Sequence, residues 1–173
     1  MSVVLFVCTG NAARSQMAEG WLKMLKPEFT VLSAGTKPEK VSKKAIKAMK
    51  EVGLDITTNT SKHLDAVDWK NANFAITLCG SANEKCVLME WPEKCNRLHW
   101  PIKDPESEED FRNARDEIHP SPLRAAKLAL KYGANSVTIH LREDRRHIRD
   151  IDLFEIKKLK NIPLNLEIAS TEK

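Results

Sequence analysis

Apolar positions in this chain alternate between short continuous runs and helical spacing. Val3 to Cys8 is an apolar run of strand length, and residues 14–25 then read as a helix. Thr30 to Ser33 reads as a second strand. Ser42 to Val52 carries Ala45, Ile46, Met49 and Val52 on one helical face, and Gly53 can close that helix. Phe74 to Cys79 and Arg97 to Trp100 read as two more strands, and Glu106 to Ile118 as a helix that Pro120-Ser121-Pro122 breaks. Strand and helix in alternation predict a parallel sheet flanked by helices, with its ligand site at the C-terminal ends of the strands. Cys8 and Cys79 both fall at such ends. Beyond the prolines the rhythm restarts: a helix over Leu123 to Tyr132 ended by Gly133, a strand over Ser136 to Leu141, a helix over Asp150 to Leu159 and a strand over Pro163 to Ala169. This second stretch is too short to bury a core of its own.

Composition narrows the picture without deciding it. At 173 residues, 42% hydrophobic and 30% charged, the chain suits one soluble domain, or one domain with an appendage. No run approaches a membrane span and the N-terminus lacks a signal-peptide pattern, so the expected compartment is the cytoplasm. There the four cysteines, Cys8, Cys79, Cys86 and Cys95, stay reduced unless they are catalytic. Residues 1–110 hold 15 basic and 15 acidic side chains, and residues 111–173 hold 13 and 9, so the net charge of +4 lies in the tail. That excess is too small to predict a nucleic-acid partner.

The sharpest signal follows the first strand, where Cys8-Thr9-Gly10-Asn11-Ala12-Ala13-Arg14-Ser15 leads into a helix. Backbone N–H groups of residues 9 to 14 can converge on one point and cradle a tetrahedral oxyanion. Arg14 adds a planar fork that fits two oxygens of phosphate or arsenate. The same positive field favours the thiolate of Cys8 and makes it a candidate nucleophile. A cysteine ending a buried strand is more often a small apolar filler, but strand, loop and helix are separate requirements and all three are met.

Val4 to Gly20 resembles the signature of the low-molecular-weight protein tyrosine phosphatase superfamily, in the form carried by its arsenate-reductase branch. Similarity continues through Ser33-Ala34-Gly35, Thr60-Ser61, Ile76-Thr77-Leu78-Cys79, Leu98-His99-Trp100 and Asp104-Pro105, and fades after Ile118. The resemblance implies a flavodoxin-like three-layer α/β fold over residues 1–118, acting as a monomer on arsenate or phosphate. It implies attack by Cys8 on arsenate held by Arg14, then attack by Cys79 on the Cys8 adduct, then transfer of the disulfide to Cys79–Cys86 for reduction by thioredoxin. It makes Asp104 a general acid, although an Asp-Pro pair alone is usually a turn. Ser15 could donate to the Cys8 thiolate or merely start the helix, and Asn11 is expected to brace the loop. By composition alone Cys79 could be a buried filler, whereas Cys86 sits in a polar segment; the spacing lacks a zinc knuckle. Cys95 reads as an incidental surface thiol.

Two departures stand out. Ala12 replaces a serine common in the family. Some reductases of this type hold potassium through residues matching Asn11, Glu19 and Ser33 plus an acidic residue after Thr-Ser, but here that position is Lys62. Its ammonium could replace the ion or simply point outward, so no metal is expected; no cofactor is expected either. A phosphatase with idle extra cysteines is the alternative activity, and the absence of a tyrosine after Asp104-Pro105 argues modestly against a phosphotyrosine substrate.

The tail resembles a different family. Arg112-Asn113-Ala114-Arg115, His119 to Pro122, Val137 to Ile148 and Asn165-Leu166-Glu167 are similar to the N-terminal part of pyridoxine 5′-phosphate synthase. That resemblance implies acid–base roles for His140 and Glu167 and substrate contacts for Arg115, Arg142 and His147. The synthase is a (β/α)8 barrel, a fold of about 250 residues, and the shared stretch covers about two of its eight units. Residues 119–173 are thus expected to form a partial βα-barrel appendage without synthase activity. Phe111 to Ile118 fits both families, so the join is expected there, as a fusion or a composite reading that leaves the synthase fragment silent. Leu123 to Tyr132 is expected to replace missing turns of the reductase's last helix.

Overall fold

The computed structural model describes residues 2–119 and, beyond them, strands 137–141 and 164–168. By backbone contacts the chain divides into two units, Met1–His119 and Pro120–Lys173. The first unit runs β1 (Val3–Cys8), α1 (Arg14–Leu25), β2 (Thr30–Gly35), α2 (Lys43–Lys50), β3 (Phe74–Thr77), α3 (Gly80–Val87), β4 (Asn96–His99) and α4 (Glu108–Ile118). Its four strands lie in the order β2-β1-β3-β4, all parallel. β1 is central and apolar because helices cover it: Leu5 and Val7 are fully buried, and Met17, Met49, Leu64 and Leu78 close around it. α1 packs on β1, β2 and α4, while α3 packs on β1 and β3. The crossovers β1→α1→β2 and β3→α3→β4 run in opposite directions along the sheet. Right-handed connection therefore puts α1 and α3 on opposite faces. The strand order reverses beside β1, so the C-terminal ends of β1 and β3 flank the crevice where such sheets take their ligands.

Helix ends are set by local chemistry. Ser42 caps α2, and beyond its last turn Gly53 adopts φ +79° while the Leu54 N–H returns to the Met49 carbonyl at 3.0 Å. Ser107 and Asp110 form a reciprocal capping box at the start of α4. α4 is then tied down from inside: the Arg115 guanidinium donates to the Ala48 carbonyl at 2.9 Å and meets Glu51 and Asp116. Trp21 donates its indole N–H to the Arg115 carbonyl at 3.2 Å.

The ends of α2, β4 and α4 shift by one or two residues from the sequence-based expectation, and three elements differ in ways that bear on the site. β2 runs on to Gly35 because Ala34 and Gly35 stay in register with Val7 and Cys8. β3 stops at Thr77, because Cys79 turns away to become the N-cap of a helix. That helix, α3, was absent from the sequence reading. In the second unit, β5 (Val137–Leu141) and β6 (Leu164–Ile168) pair in parallel, with His140 and Glu167 as register partners. The expected helices over Leu123 to Tyr132 and Asp150 to Leu159 lie outside the described residues, as do Arg142 and His147.

Candidate functional site

The loop between β1 and α1 owes its shape to what holds its carbonyls. The Cys8, Thr9 and Gly10 carbonyls accept from Thr36, Lys37 and Glu39 at 3.3, 2.9 and 2.8 Å, and the Ala12 carbonyl accepts from Ser42 at 2.8 Å. The Asn11 carbonyl takes two donors, Gln16 Nε2 at 2.9 Å and Ser61 Oγ at 2.7 Å. A trans peptide sets each C=O opposite the next N–H. Five carbonyls turned outward thus leave the N–H groups of Thr9, Gly10, Asn11, Ala12 and Ala13 on the other side, in a concave array suited to an anion. Asn11 makes the turn with φ +45°, a conformation asparagine tolerates better than most residues. The segment behind must come very close. A Cβ on Gly35 would lie 2.7 Å from the Thr9 carbonyl oxygen and 2.9 Å from the Asn11 nitrogen, so only glycine fits there.

At the head of this loop, Cys8 is buried with its Sγ 2.9 Å from Ser15 Oγ. Arg14, also buried, donates through Nη1 to the Ile102 carbonyl at 2.9 Å and through Nη2 to Asp104 at 2.9 Å. These contacts fix the plane of the guanidinium at the helix start. Asp104 itself is open to solvent, so its carboxylate can give way to an incoming oxyanion.

Cys79 stands at the neighbouring strand end. The Leu78 N–H bonds the Val7 carbonyl at 2.8 Å, which sets Cys79 one residue past the point where β3 tracks β1. Its Sγ is 3.3 Å from Thr9 Oγ1, and that hydroxyl also meets Ser81 Oγ at 2.7 Å. Burial pushes the Cys79 thiol up. The Thr9 hydroxyl, the Ala82 N–H, the Ser81 hydroxyl and the Arg14 charge together outweigh it, and the net direction is down. Thr9→Val is accordingly expected to move the midpoint of Cys79 alkylation up by about one pH unit, measured by peptide mass spectrometry across a pH series.

Cys86 is buried, which its polar neighbours in sequence do not reveal. Within its polar segment it lies on the inner face of α3, 4% exposed, with its thiol pushed up to about 11 by burial and by Cys79. Its carbonyl accepts the Trp91 indole N–H at 2.7 Å. Cys95, expected at the surface, is half-buried beside it. Both border a cavity of about 470 Å³ together with Trp91 and His99.

Several supporting residues escaped the sequence reading. Gln16 is fully buried, donates to the Asn11 and Thr60 carbonyls and accepts from Asn59 at 3.0 Å. Polar residues at 14, 15, 16 and 19 all face inward at the start of α1, and that inversion of an amphipathic pattern was the available signal. Arg115 stands in α4, engaged with α2 as described.

Asn11, Glu19 and Ser33 do meet, as a monovalent-cation site would require. However, the Lys62 ammonium lies 3.8 Å from Glu19 Oε2 and 2.9 Å from the Thr60 carbonyl, and the Lys23 ammonium is bonded to Glu19 Oε1. Positive charge already fills that position, so these residues do not fit potassium. Among the described residues, no group of three or more His, Cys, Asp or Glu side chains could hold a metal ion.

A thiol at the head of such a loop, at the switch point of a parallel sheet and with an arginine at the following helix start, is an arrangement suited to cysteine-dependent handling of an oxyanion. The chain belongs to the low molecular weight phosphotyrosine protein phosphatase family, whose model matches residues 3–131. Within that family its similarity runs to arsenate reductases. It is 44% identical over 118 residues to the arsenate reductase of Staphylococcus aureus (strain Newman), spanning 66% of this chain and 88% of that one. It is 44% identical over 125 residues to that of Bacillus subtilis (strain 168), spanning 67% and 88%. A solved arsenate reductase in the phosphate binding state superposes with a TM-score of 0.60 at 33% identity, covering 76% of this chain and 98% of that one. A second family model, pyridoxal phosphate biosynthesis protein PdxJ, matches residues 110–173, so the two matches overlap over residues 110–131. No described helix is long and apolar enough to cross a membrane.

Proposed function

We propose that this chain reduces arsenate to arsenite, using residues 1–118 as the catalytic domain and a thioredoxin-type dithiol protein as the electron source. The amide array and Arg14 hold the oxyanion while the Cys8 thiolate attacks arsenic, and a protonated oxygen leaves as water, with Asp104 as the acid. Cys79 then attacks the Cys8 sulfur. The S–As electron pair passes to arsenic, which leaves as arsenite, and a Cys8–Cys79 disulfide remains. Cys86 next attacks the Cys79 sulfur and expels Cys8 as thiolate, and an external dithiol reduces Cys79–Cys86.

The observation that carries this reading is the position of three thiols along one path: Cys8 in the loop, Cys79 against Thr9 of that loop, and Cys86 in the helix that Cys79 caps. Phosphoester hydrolysis would use only the first. Seven residues of helix span about 10 Å, whereas disulfide-linked Cα atoms lie about 4.4–6.8 Å apart. α3 must therefore unwind before Cys86 can reach Cys79. Until then the buried, high-pKa thiol of Cys86 is held in reserve. The cavity bordering α3 gives the helix room to collapse, and exposed Val87 and Leu88 offer a protein reductant an apolar foothold beside Cys86.

Cys86→Ser tests the reading. It is expected to release one arsenite per chain and then stop, with a Cys8–Cys79 disulfide trapped. Sustained thioredoxin-dependent turnover by that variant would refute the relay, and phosphomonoester hydrolysis as the sole activity of the wild type would favour a phosphatase.

A further inference from the structure

Glu19 is a carboxylate buried in the first helix with a side-chain exposure of 6%, and its contacts lead to the reactive thiol. The Ser33 hydroxyl donates to its Oε2. Because that proton is committed, Ser33 Oγ accepts from Asn11 Nδ2 at 2.8 Å. The Lys62 backbone N–H donates to Asn11 Oδ1 at 2.8 Å, which fixes the amide with its nitrogen toward the serines. Asn11 Nδ2 therefore also donates to Ser15 Oγ at 2.8 Å. With Ser15 Oγ acting as acceptor there, its own proton is directed to Cys8 Sγ, 2.9 Å away. Every bond in the chain runs one way, from a donor aimed at Cys8 back to the Glu19 carboxyl group, whose two oxygens both accept. A carboxylate so buried needs compensating charge. Two ammonium groups supply it: Lys23 from the same helix, half-exposed, and Lys62, whose side chain is 30% exposed.

We propose that the Lys62 ammonium is a built-in cation that balances the buried Glu19 carboxylate and thereby keeps Ser15 donating to Cys8, so that the loop needs no monovalent metal ion. Lys62 is a positioning residue. It acts at both ends of the Asn11 turn, through its backbone on the amide and through its side chain on Glu19. The inference rests on Cys8 as the reactive thiol and not on arsenate as the substrate.

The test is the alkylation rate of Cys8 by iodoacetamide at pH 6, read on the Cys8 peptide by mass spectrometry. It is run on the full chain in potassium chloride and in choline chloride of equal ionic strength, with circular dichroism as a folding control. The wild type is expected to react at the same rate in both salts. Lys62→Met keeps the backbone donor and removes only the ammonium, and it is expected to slow the reaction about tenfold. Lys62→Arg is expected to restore it. Acceleration of the wild type by potassium would overturn the proposal without recourse to any variant. Wild-type rates in Lys62→Met, or no recovery in Lys62→Arg, would overturn it as well. Because arsenate is absent from this assay, failure of the proposed reductase activity leaves its outcome untouched.

Discussion

Replacing Cys79 by serine is expected to abolish arsenite release, down to the first turnover, while leaving oxyanion affinity intact. Cys79 contributes nothing to the amide array, which is built from residues 9–13 and held from behind by residues 36–42, Gln16 and Ser61. Its thiol is the one nucleophile at the neighbouring strand end, in contact with Thr9 and drawn toward the thiolate by its donors. A serine hydroxyl there keeps the hydrogen bonds but cannot form a disulfide, so no electron pair reaches arsenic. Single-turnover quench measures arsenite directly, and isothermal titration with phosphate measures the affinity.

Arg14→Lys is expected to lower kcat/KM for arsenate by about 10²- to 10³-fold, the usual cost of losing one preorganised donor to a developing oxyanion. The guanidinium is anchored through two nitrogens, to the Ile102 carbonyl and to Asp104, and so presents a fixed plane at the start of α1. A lysine ammonium retains the charge but is a flexible point donor that cannot keep both the anchor and a bidentate grip. The loss should appear in kcat as well as in KM, because the geometry matters most as charge spreads over the oxygens. Thioredoxin-coupled steady-state kinetics would separate the two.

Much of this was legible in the chain, for identifiable reasons. β1 is buried on both faces, so its apolar run is uninterrupted, and the cysteine, loop and arginine that follow it are local in sequence. α3 was hidden because Gly80-Ser81-Ala82-Asn83-Glu84-Lys85 is polar and buries only Ala82 and Cys86. Two small inward residues four apart make too weak a stripe to read as a helix. The apolar run Phe74 to Cys79 masked its own end, since the chain leaves the sheet after Thr77 while staying buried at Leu78 and Cys79. Support for the loop was illegible for another reason. Gln16, Ser33, Gly35, Ser61 and Lys62 come from three separate segments, and only the folded chain gathers them around Asn11. For Arg115 the two resemblances competed, and in the folded first unit it joins α4 to α2.

The account turns on electrons leaving Cys8 by way of Cys79 and then Cys86. The direct measurement is disulfide mapping of the reduced full chain after one exposure to arsenate without external reductant, with free thiols alkylated at quench. A Cys79–Cys86 bridge with Cys8 free to alkylate is the predicted result. A chain that consumes arsenate yet keeps Cys86 as a free thiol, or that bridges Cys8 to Cys95, would contradict it.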